Sequence, residues 1–151
     1  PPPHFQAEDG IRDIVARLVG SEMCIRDSLY RVLNNLARNA AQAIESQRAA
    51  LTKQHGQPPP RSQITISARR EGLCTIIELS DDGPGVPAKA REHLFQAFKG
   101  GARKGGSGLG LAISAELIRA HGGTITLLDS HAAATFRIDI PDPQAYATAS
   151  S

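Results

Sequence analysis

Two asparagines four residues apart are the first side chains in this sequence whose type and spacing suit chemistry. Asn35 and Asn39 lie in a segment of helical periodicity, where about 100° per residue makes their side chains project about 40° apart, beside the apolar stripe. Asn is a mediocre helix former, so the pair lowers helix propensity. Amide oxygens are hard ligands that suit Mg²⁺ together with water and phosphate oxygens. The pair indicates either a magnesium site or two boundary amides that cap nearby backbone groups.

An aspartate followed by two glycines forms the second candidate. Asp81 ends a predicted strand, and Gly83 and Gly85 permit a tight turn with close approach of a planar ligand. A carboxylate at this position could accept a hydrogen bond from an exocyclic amine such as that of adenine. A purine without that amine would leave the acceptor unpaired, at a cost of roughly 1–3 kcal/mol. An ordinary surface turn is the alternative.

A glycine-rich segment from Gly105 to Leu111 precedes a predicted helix and forms the third candidate. Free backbone N–H groups and the positive end of the helix dipole would meet there and favour an anion. The segment is not a Walker A loop, because Gly106 stands where the lysine should be, and it lacks the Rossmann spacing. Arg103 and Lys104 could reach phosphates from the loop. A flexible loop with solvated charges is the alternative.

The elements that must position these residues follow from periodicity and turn signals. A helix is predicted where apolar residues recur at helical spacing, and His93 and His121 are interpreted as structural. Phe95 and Phe98 either pack in the core or anchor the hinge of a nucleotide lid. The apolar residues of that first helix are Leu29, Val32, Leu33, Leu36, Ala40, Ala43 and Ile44.

The other predicted elements follow in chain order. A loop over Gln54–Ser62 leads to a hairpin with strands near Ile64–Ala68 and Thr75–Leu79, and then to a short helix over Ala88–Phe98. After these come a mobile glycine-rich loop over Lys99–Ser107, a helix from Gly108 to a glycine cap at His121-Gly122-Gly123, and strands over Thr124–Leu128 and Thr135–Ile140.

The composition fits one domain with one core, since the chain has 151 residues of which 40% are hydrophobic. Lys and Arg number 17 against 15 Asp and Glu, and there is no Trp, so nucleic-acid binding is disfavoured. Cys24 and Cys74 suggest neither a disulfide framework nor a zinc site. Apolar runs are too short to span a membrane. The redox compartment stays open, with a reducing cytosol as the default, so a cytoplasmic domain is expected.

The first 28 residues differ in pattern from the rest of the chain. Parts of Pro1–Ser28 resemble translated sequencing-adaptor sequence, and native sequence is expected to begin near Leu29. A divergent first strand and helix is the alternative. The expected organisation is a doubtful segment over 1–28, one domain over 29–141 and a flexible tail over 142–151.

Four segments, taken together and in order, resemble the catalytic ATP-binding domain of bacterial sensor histidine kinases. That domain belongs to the wider GHKL ATPase superfamily, with gyrase, heat-shock chaperones and mismatch-repair ATPases. The resemblance spans about Leu29 to Pro141. The segments that carry it are Leu33–Ala40 for the N box, Ser80–Pro87 for the G1 box, Phe95–Phe98 for the F box and Gly106–Leu111 for the G2 box.

The resemblance implies a Bergerat fold, which is an α/β two-layer sandwich with a mixed β-sheet backed by helices and a mobile ATP lid. It further implies that Asn39 ligates Mg²⁺, that Asn35 supports the metal and the phosphates, and that Asp81 binds the adenine amine. Asn35 and Asn39 are its catalytic candidates. The ATP-binding residues implied are Asn35, Asn39, Asp81, Gly83, Gly85, Phe98, Arg103, Lys104, Gly106, Ser107, Gly108, Leu109 and Gly110.

The residue at position 35 bears on the reaction. Hydrolysing members of the superfamily have a glutamate there that activates water, whereas the amide of Asn35 cannot take a proton. The resemblance therefore implies phosphoryl transfer to a protein side chain. Two positions depart from the family pattern. Gln42 replaces a common Lys or Arg, which shifts attention to Arg38, Arg103 or Lys104, and Ala134 replaces a Gly that is expected in a turn.

The expected activity is that of a protein histidine kinase whose phosphoacceptor lies elsewhere. None of the five histidines sits in the motif of a phosphoacceptor helix, so this chain is not expected to autophosphorylate alone. The implied partners are the dimerisation and phosphoacceptor domain of a homodimeric parent and a downstream response regulator, with this chain itself monomeric. A stand-alone serine kinase of the anti-sigma type and a non-catalytic nucleotide-binding module are the alternatives.

Overall fold

The computed structural model describes residues 25–97, 108–128 and 133–142. Helices cover one face of a four-stranded sheet, so the described chain has two layers. This arrangement confirms the predicted α/β two-layer architecture. In chain order the elements are α1 (Ile25–His55), β1 (Ile64–Glu71), β2 (Cys74–Asp81), α2 (Ala88–Arg91), α3 (Gly110–Ala120), β3 (Thr124–Leu128) and β4 (Ala134–Pro141).

The strands lie in the order β1-β2-β4-β3, and every pairing between them is antiparallel. The register places Leu79 of β2 between Ile66 and Phe136. β3 has the predicted bounds, and the other three strands run one to three residues beyond theirs. The parallel pairing that a mixed sheet requires is not seen among these four strands.

Alternation along the strands separates an apolar face from a polar one. On the inner face, Ile77, Leu79, Phe136 and Ile138 are buried against the helices. Asp81 continues the inner series two residues after Leu79 and is also buried, with 6% of its surface exposed. The strand period therefore carries this carboxylate to the helix side of the sheet, which is the side where a ligand between the two layers would lie.

The outer face of the sheet carries charged side chains. Arg69 pairs with Glu78 at 3.1 Å, and Arg137 pairs with Asp139 at 2.9 Å. These carboxylate partners raise the pKa of both guanidinium groups. Because the pairs are solvated, they contribute little to stability. Their polarity is consistent with a sheet that is covered by helices on one face only.

Helix α1 spans 31 residues and is longer than predicted. Its buried positions recur at spacings of three and four, and they confirm the predicted apolar stripe. The helix continues to His55 and ends at Gly56, whose φ of 70° and N–H bond to the Thr52 carbonyl at 2.8 Å form a C-terminal cap. The loop expected from Gln54 therefore begins two residues later. The buried residues of α1 are Ser28, Val32, Leu36, Ala40, Ala43 and Ile44.

The short helix expected over Ala88–Phe98 is wrong in its extent, because α2 ends at Arg91. The chain continues in turns to residue 97, and these turns bury Leu94. The Phe95 ring packs edge-on against Phe136 with centroids 6.3 Å apart. The packing of Leu94 and Phe95 into the core is therefore made from a chain of turns and not from a continued helix. The core interpretation of Phe95 is supported, whereas Phe98 lies outside the described residues.

Helix α3 begins at Gly110, two residues later than expected, because Gly108 has a φ of 69° that no α-helix accommodates. It ends at the predicted glycine cap, where Gly122 has a φ of 74° and the Gly123 N–H donates to the Ile118 carbonyl at 3.0 Å. His121 lies at this cap.

His121 joins the end of α3 to the first turn of α1. Its Nε2 lies 2.9 Å from Oγ of the fully buried Ser28. The contact supports the structural interpretation of this histidine. Within the three described segments, no helix has the length and apolar character needed to cross a bilayer.

Candidate nucleotide-binding site

Asn35 lies where helix α1 meets the start of helix α3. Its Nδ2 donates to Oγ of Ser114 at 3.1 Å, across 79 residues of sequence. The Ser114 hydroxyl in turn donates to the backbone carbonyl of Gly110 at 2.8 Å. The first and fourth of the predicted boxes are thus in direct contact. We call this contact, made by Asn35, Gly110 and Ser114, the helix seam.

Gly110 leaves room for Asn35 at the seam because it has no side chain. A Cβ atom there would lie 2.6 Å from Oδ1 and 2.7 Å from Nδ2 of Asn35, far inside van der Waals contact. The end of the amide that carries its oxygen and nitrogen therefore points at the first residue of α3. Any larger residue at this position would displace the amide of Asn35.

Asn39 is half-buried one turn further along α1, on the same boundary of the helix as Asn35. The two side chains offer amide oxygens, which are hard donors. The described residues contain no group of three or more His, Cys, Asp or Glu side chains that could hold a metal by themselves. A pair of amide oxygens fits Mg²⁺, which takes few protein ligands and keeps water and phosphate oxygens in its other positions.

Asp81 closes the turn after β2 by a side-chain bond to the backbone two residues later. Its Oδ1 accepts the Gly83 N–H at 2.9 Å. A Cβ on Gly83 would lie 2.8 Å from that oxygen and 3.3 Å from Cγ1 of Ile44, so this position also needs glycine. Gly85 has a φ of 75°, and a Cβ atom there would meet nothing within 4 Å, so its conformation rather than its surroundings requires glycine. We call Asp81, Gly83 and Gly85 the β2 corner.

The neighbouring Asp82 has a different structural role. Its Oδ1 accepts the Gln63 N–H at 2.9 Å, while its own N–H donates to the Gln63 carbonyl at 3.2 Å. This exposed pair of bonds holds the beginning of β1 against the end of β2. The two adjacent aspartates thus divide into a buried one on the inner face and an exposed one that closes the sheet end.

A cavity of about 250 Å³ lies between α1 and α3 beside the seam. Two arginines and two asparagines from α1 form one side, and the seam serine with two apolar residues of α3 forms the other. The polar lining includes no carboxylate, so it favours an anionic group. Arg38, one of the three basic residues considered because of Gln42, lies here beside Asn35. The lining residues are Arg31, Asn34, Asn35, Arg38, Ile113, Ser114 and Leu117.

Comparison with known families decides the identity of the fold. The model for the histidine kinase-, DNA gyrase B- and HSP90-like ATPases matches residues 24–144. The chain belongs to this family. The match includes both the β2 corner and the helix seam, so both are parts of an ATPase-family domain.

Individual relatives of this ATPase-family domain are sensor kinases. The chain is 36% identical over 118 residues to the sensory histidine kinase/phosphatase NtrB of Rhizobium meliloti, an alignment of 77% of this chain and 31% of the relative. The chain thus spans about a third of the length of the curated relatives it matches first.

Solved structures show the same fold. ShkA, solved at full length in complex with AMPPNP, is 28% identical with a TM-score of 0.58, and the match covers 76% of this chain and 21% of that one. The catalytic domain of the histidine kinase ThkA is 19% identical with a TM-score of 0.62, and the match covers 91% and 93% of the two chains. The second likeness concerns the fold alone.

The structure describes eight of the implied site residues, and the others lie outside the described part of the chain. In this ATPase-family domain, Asn35 and Gly110 are brought together, Asp81 and Gly83 form a second cluster, and Leu109 immediately precedes α3. The residues outside the described segments are Phe98, Arg103, Lys104, Gly106 and Ser107.

Two features of the site were missed from sequence. Ser114 carried only a weak signal, a small polar residue four positions after Gly110 on an otherwise apolar helix face. Ala134 was expected in a turn, but it is the first residue of β4 and the register partner of Asp81. It is buried with 6% exposure, so its methyl group adds to the apolar wall beside the carboxylate.

Proposed function

We propose that this chain is the catalytic domain of a sensor histidine kinase in two-component signalling. It binds ATP with Mg²⁺ and transfers the γ-phosphoryl group to a histidine on a separate phosphoacceptor domain. Family membership and the sensor-kinase relatives support the proposal. The observation that carries it is the contact of Asn35 with Gly110, which joins the predicted metal-binding helix to the helix whose start is predicted to receive phosphate.

In this proposal, the two ends of the nucleotide bind at the two described clusters. Asp81 accepts a hydrogen bond from the adenine amine at the β2 corner, where Gly83 and Gly85 shape the turn. Asn39 would hold Mg²⁺ with support from Asn35. Arg38, which lines the cavity, would contact phosphate in place of the Lys or Arg that Gln42 replaces. Bound Mg²⁺ supplies positive charge that neutralises the phosphate oxygens.

Transfer is favoured over hydrolysis because Asn35 cannot act as a general base. Its amide is neutral, and its Nδ2 is engaged with Ser114. In-line transfer needs positioning and charge neutralisation more than proton removal by the domain. The acceptor histidine belongs to a dimerisation and phosphoacceptor domain of the parent homodimer, and the phosphohistidine then serves a response regulator.

Phosphotransfer in trans tests the proposal. The chain is mixed with the phosphoacceptor domain of an NtrB relative and labelled ATP, and the stability of the label on protein is followed in acid and in base. We expect an acid-labile, base-stable label, as phosphohistidine gives. An acid-stable label on a partner would indicate a serine kinase instead, and tight ATP binding with no transfer would indicate a nucleotide-binding module.

Asn39→Ala tests the proposed role of Asn39 as the Mg²⁺ ligand. It should abolish the tightening of ATP binding by Mg²⁺ while changing metal-free binding much less, because the proposed role of Asn39 is toward the metal. Isothermal titration with Mg²⁺ or with a chelator measures both quantities. Unchanged metal dependence in this variant would refute the assignment of Asn39 as the metal ligand.

A further inference from the structure

Ser114 is the one residue of the helix seam that sequence reasoning did not assign a role. It is buried, with 1% of its surface exposed, in the second turn of α3. It bonds both to the backbone of its own helix and to the side chain of Asn35 on α1. A buried serine in a helix commonly bonds the carbonyl four residues before it, but here the same oxygen also serves a second helix.

The two bonds of Ser114 have a fixed direction. A serine hydroxyl has one proton, and the Gly110 carbonyl can only accept, so the proton lies in the 2.8 Å bond to that carbonyl. Toward Asn35 the hydroxyl oxygen can then only accept, and Nδ2 of the amide is the donor at 3.1 Å. The reversed amide would bring two oxygen acceptors together. Ser114 therefore selects one of the two orientations of the Asn35 amide.

The selected orientation leaves the amide oxygen of Asn35 as the end that Ser114 does not engage. Both ends of the amide lie beside the first residue of α3, with Oδ1 at 2.6 Å and Nδ2 at 2.7 Å from the Cβ position of Gly110. The oxygen is the group that can ligate a metal or accept from a metal-bound water, whereas the amino group can do neither. Without Ser114 the amide has no described partner that distinguishes its two ends.

We propose that Ser114 is a positioning residue that fixes the Asn35 amide so that its oxygen stays available to the Mg²⁺–phosphate group of bound ATP. This inference rests on the proposed function and extends it to a residue outside the four predicted boxes. Ser114 itself does not touch the metal or the nucleotide in this account.

The cavity beside the seam permits a matched pair of variants. Ser114 is one of the residues that line the space of about 250 Å³ between the helices, and this space can take the added methyl group of a larger side chain. Ser114→Thr keeps the hydroxyl and adds the methyl, while Ser114→Val has nearly the same shape without the hydroxyl. Any difference between the two variants therefore reports the hydrogen bonds and not the packing.

The first measurement is the Mg²⁺ dependence of ATP binding by the 151-residue chain and its variants, taken by titration calorimetry beside their thermal unfolding. Ser114→Val should lose about threefold to tenfold of the Mg²⁺-dependent tightening, which corresponds to one net hydrogen bond. Ser114→Thr should keep it, and binding with chelator should be equal in both. In an Asn35→Ala background, Ser114→Val should have no further effect.

The second measurement needs no nucleotide. It follows the side-chain NH₂ signals of Asn35 by NMR, and these signals are assigned by their loss in Asn35→Ala. In the native chain and in Ser114→Thr their chemical shifts should differ from those of a free asparagine and their protons should exchange slowly with water. In Ser114→Val the shifts should move to the averaged values of a free asparagine. Equal spectra and equal metal dependence in the Thr and Val variants would overturn the role of Ser114. If the proposed function fails instead, the native chain itself shows no Mg²⁺-dependent tightening, while the resonances still report the amide orientation.

Discussion

The β2 corner and the helix seam are built in opposite ways. At the corner, Asp81 bonds to the backbone of Gly83 two residues later, and the adjoining Gly85 needs only its own left-handed conformation. At the seam, Asn35 meets Ser114 across 79 residues of sequence. The corner is therefore a product of local chain geometry, whereas the seam exists only when two helices have packed.

Because of this difference, the two ends of the proposed nucleotide site should respond differently to changes in helix packing. A turn held by a bond between residues two apart is less sensitive to small shifts of the helices, since the Asp81–Gly83 bond closes within one segment. A contact between helices depends on their separation, because the Cβ position of Gly110 already lies 2.6 Å from the Asn35 amide. We expect the metal and phosphate end to respond to packing changes that leave the adenine end intact.

The largest effect on stability is expected in the hydrophobic core, which holds both the β2 corner and the helix seam in place. Leu36 is fully buried in α1, next to Asn35 in sequence, and it belongs to the core that holds the helices to the sheet. Leu36→Ala should lower the free energy of unfolding by about 2–5 kcal/mol through lost burial and a cavity. Denaturant unfolding measures this loss. Tyr30→Ala on the same helix is the control, because that side chain is 69% exposed and should change stability little.

A smaller effect should separate the seam from the corner. In Gly110→Ala the new methyl group collides with the Asn35 amide, which should cost about 1–3 kcal/mol of stability. Asn35→Ala in the same chain should restore most of that loss, because it removes the colliding atoms. Denaturant unfolding of the two single variants and the double variant gives the coupling. Additive losses would show that the seam is not the close contact described here.

The smallest stability effect belongs to the corner. Gly85→Ala meets no atom within 4 Å, so its cost is the left-handed backbone alone, about 1 kcal/mol. Gly72→Ala in the hairpin turn is the matched control, since Gly72 has a φ of 59° with equally open surroundings. Thermal unfolding should show similar losses for both, while ATP titration should show weaker binding for Gly85→Ala only. Equal binding by the two variants would contradict a role of Gly85 at the site.

The same contrast explains which features were predictable from sequence. The apolar stripe of α1 and the bounds of β3 follow from periodicity, and the glycine cap after α3 follows from local backbone preference. The positions of Asp81 and Gly83 in one turn follow from their closeness in sequence. Each of these features is decided within a few residues, where propensity and turn chemistry act.

Features decided by distant contacts were not predictable in the same way. The end of α2 at Arg91 follows from the packing of Leu94 and of Phe95, whose ring contacts Phe136 in a strand far along the chain. The role of Ser114 depends on which α1 side chain faces it. A single sequence records the spacing of residues along each helix but not the register between helices.

Nucleotide discrimination by Asp81 reports whether the β2 corner binds adenine. Titration calorimetry compares ATP with inosine triphosphate, which lacks the adenine amine, on the native chain and on Asp81→Asn; Asp82→Asn is the control, since Asp82 bonds to Gln63 at the exposed sheet end. We predict that Asp81→Asn weakens ATP binding by roughly 1–3 kcal/mol, about fivefold to 150-fold, and changes inosine triphosphate binding little. An equal loss for both nucleotides would show that Asp81 does not bind the adenine amine.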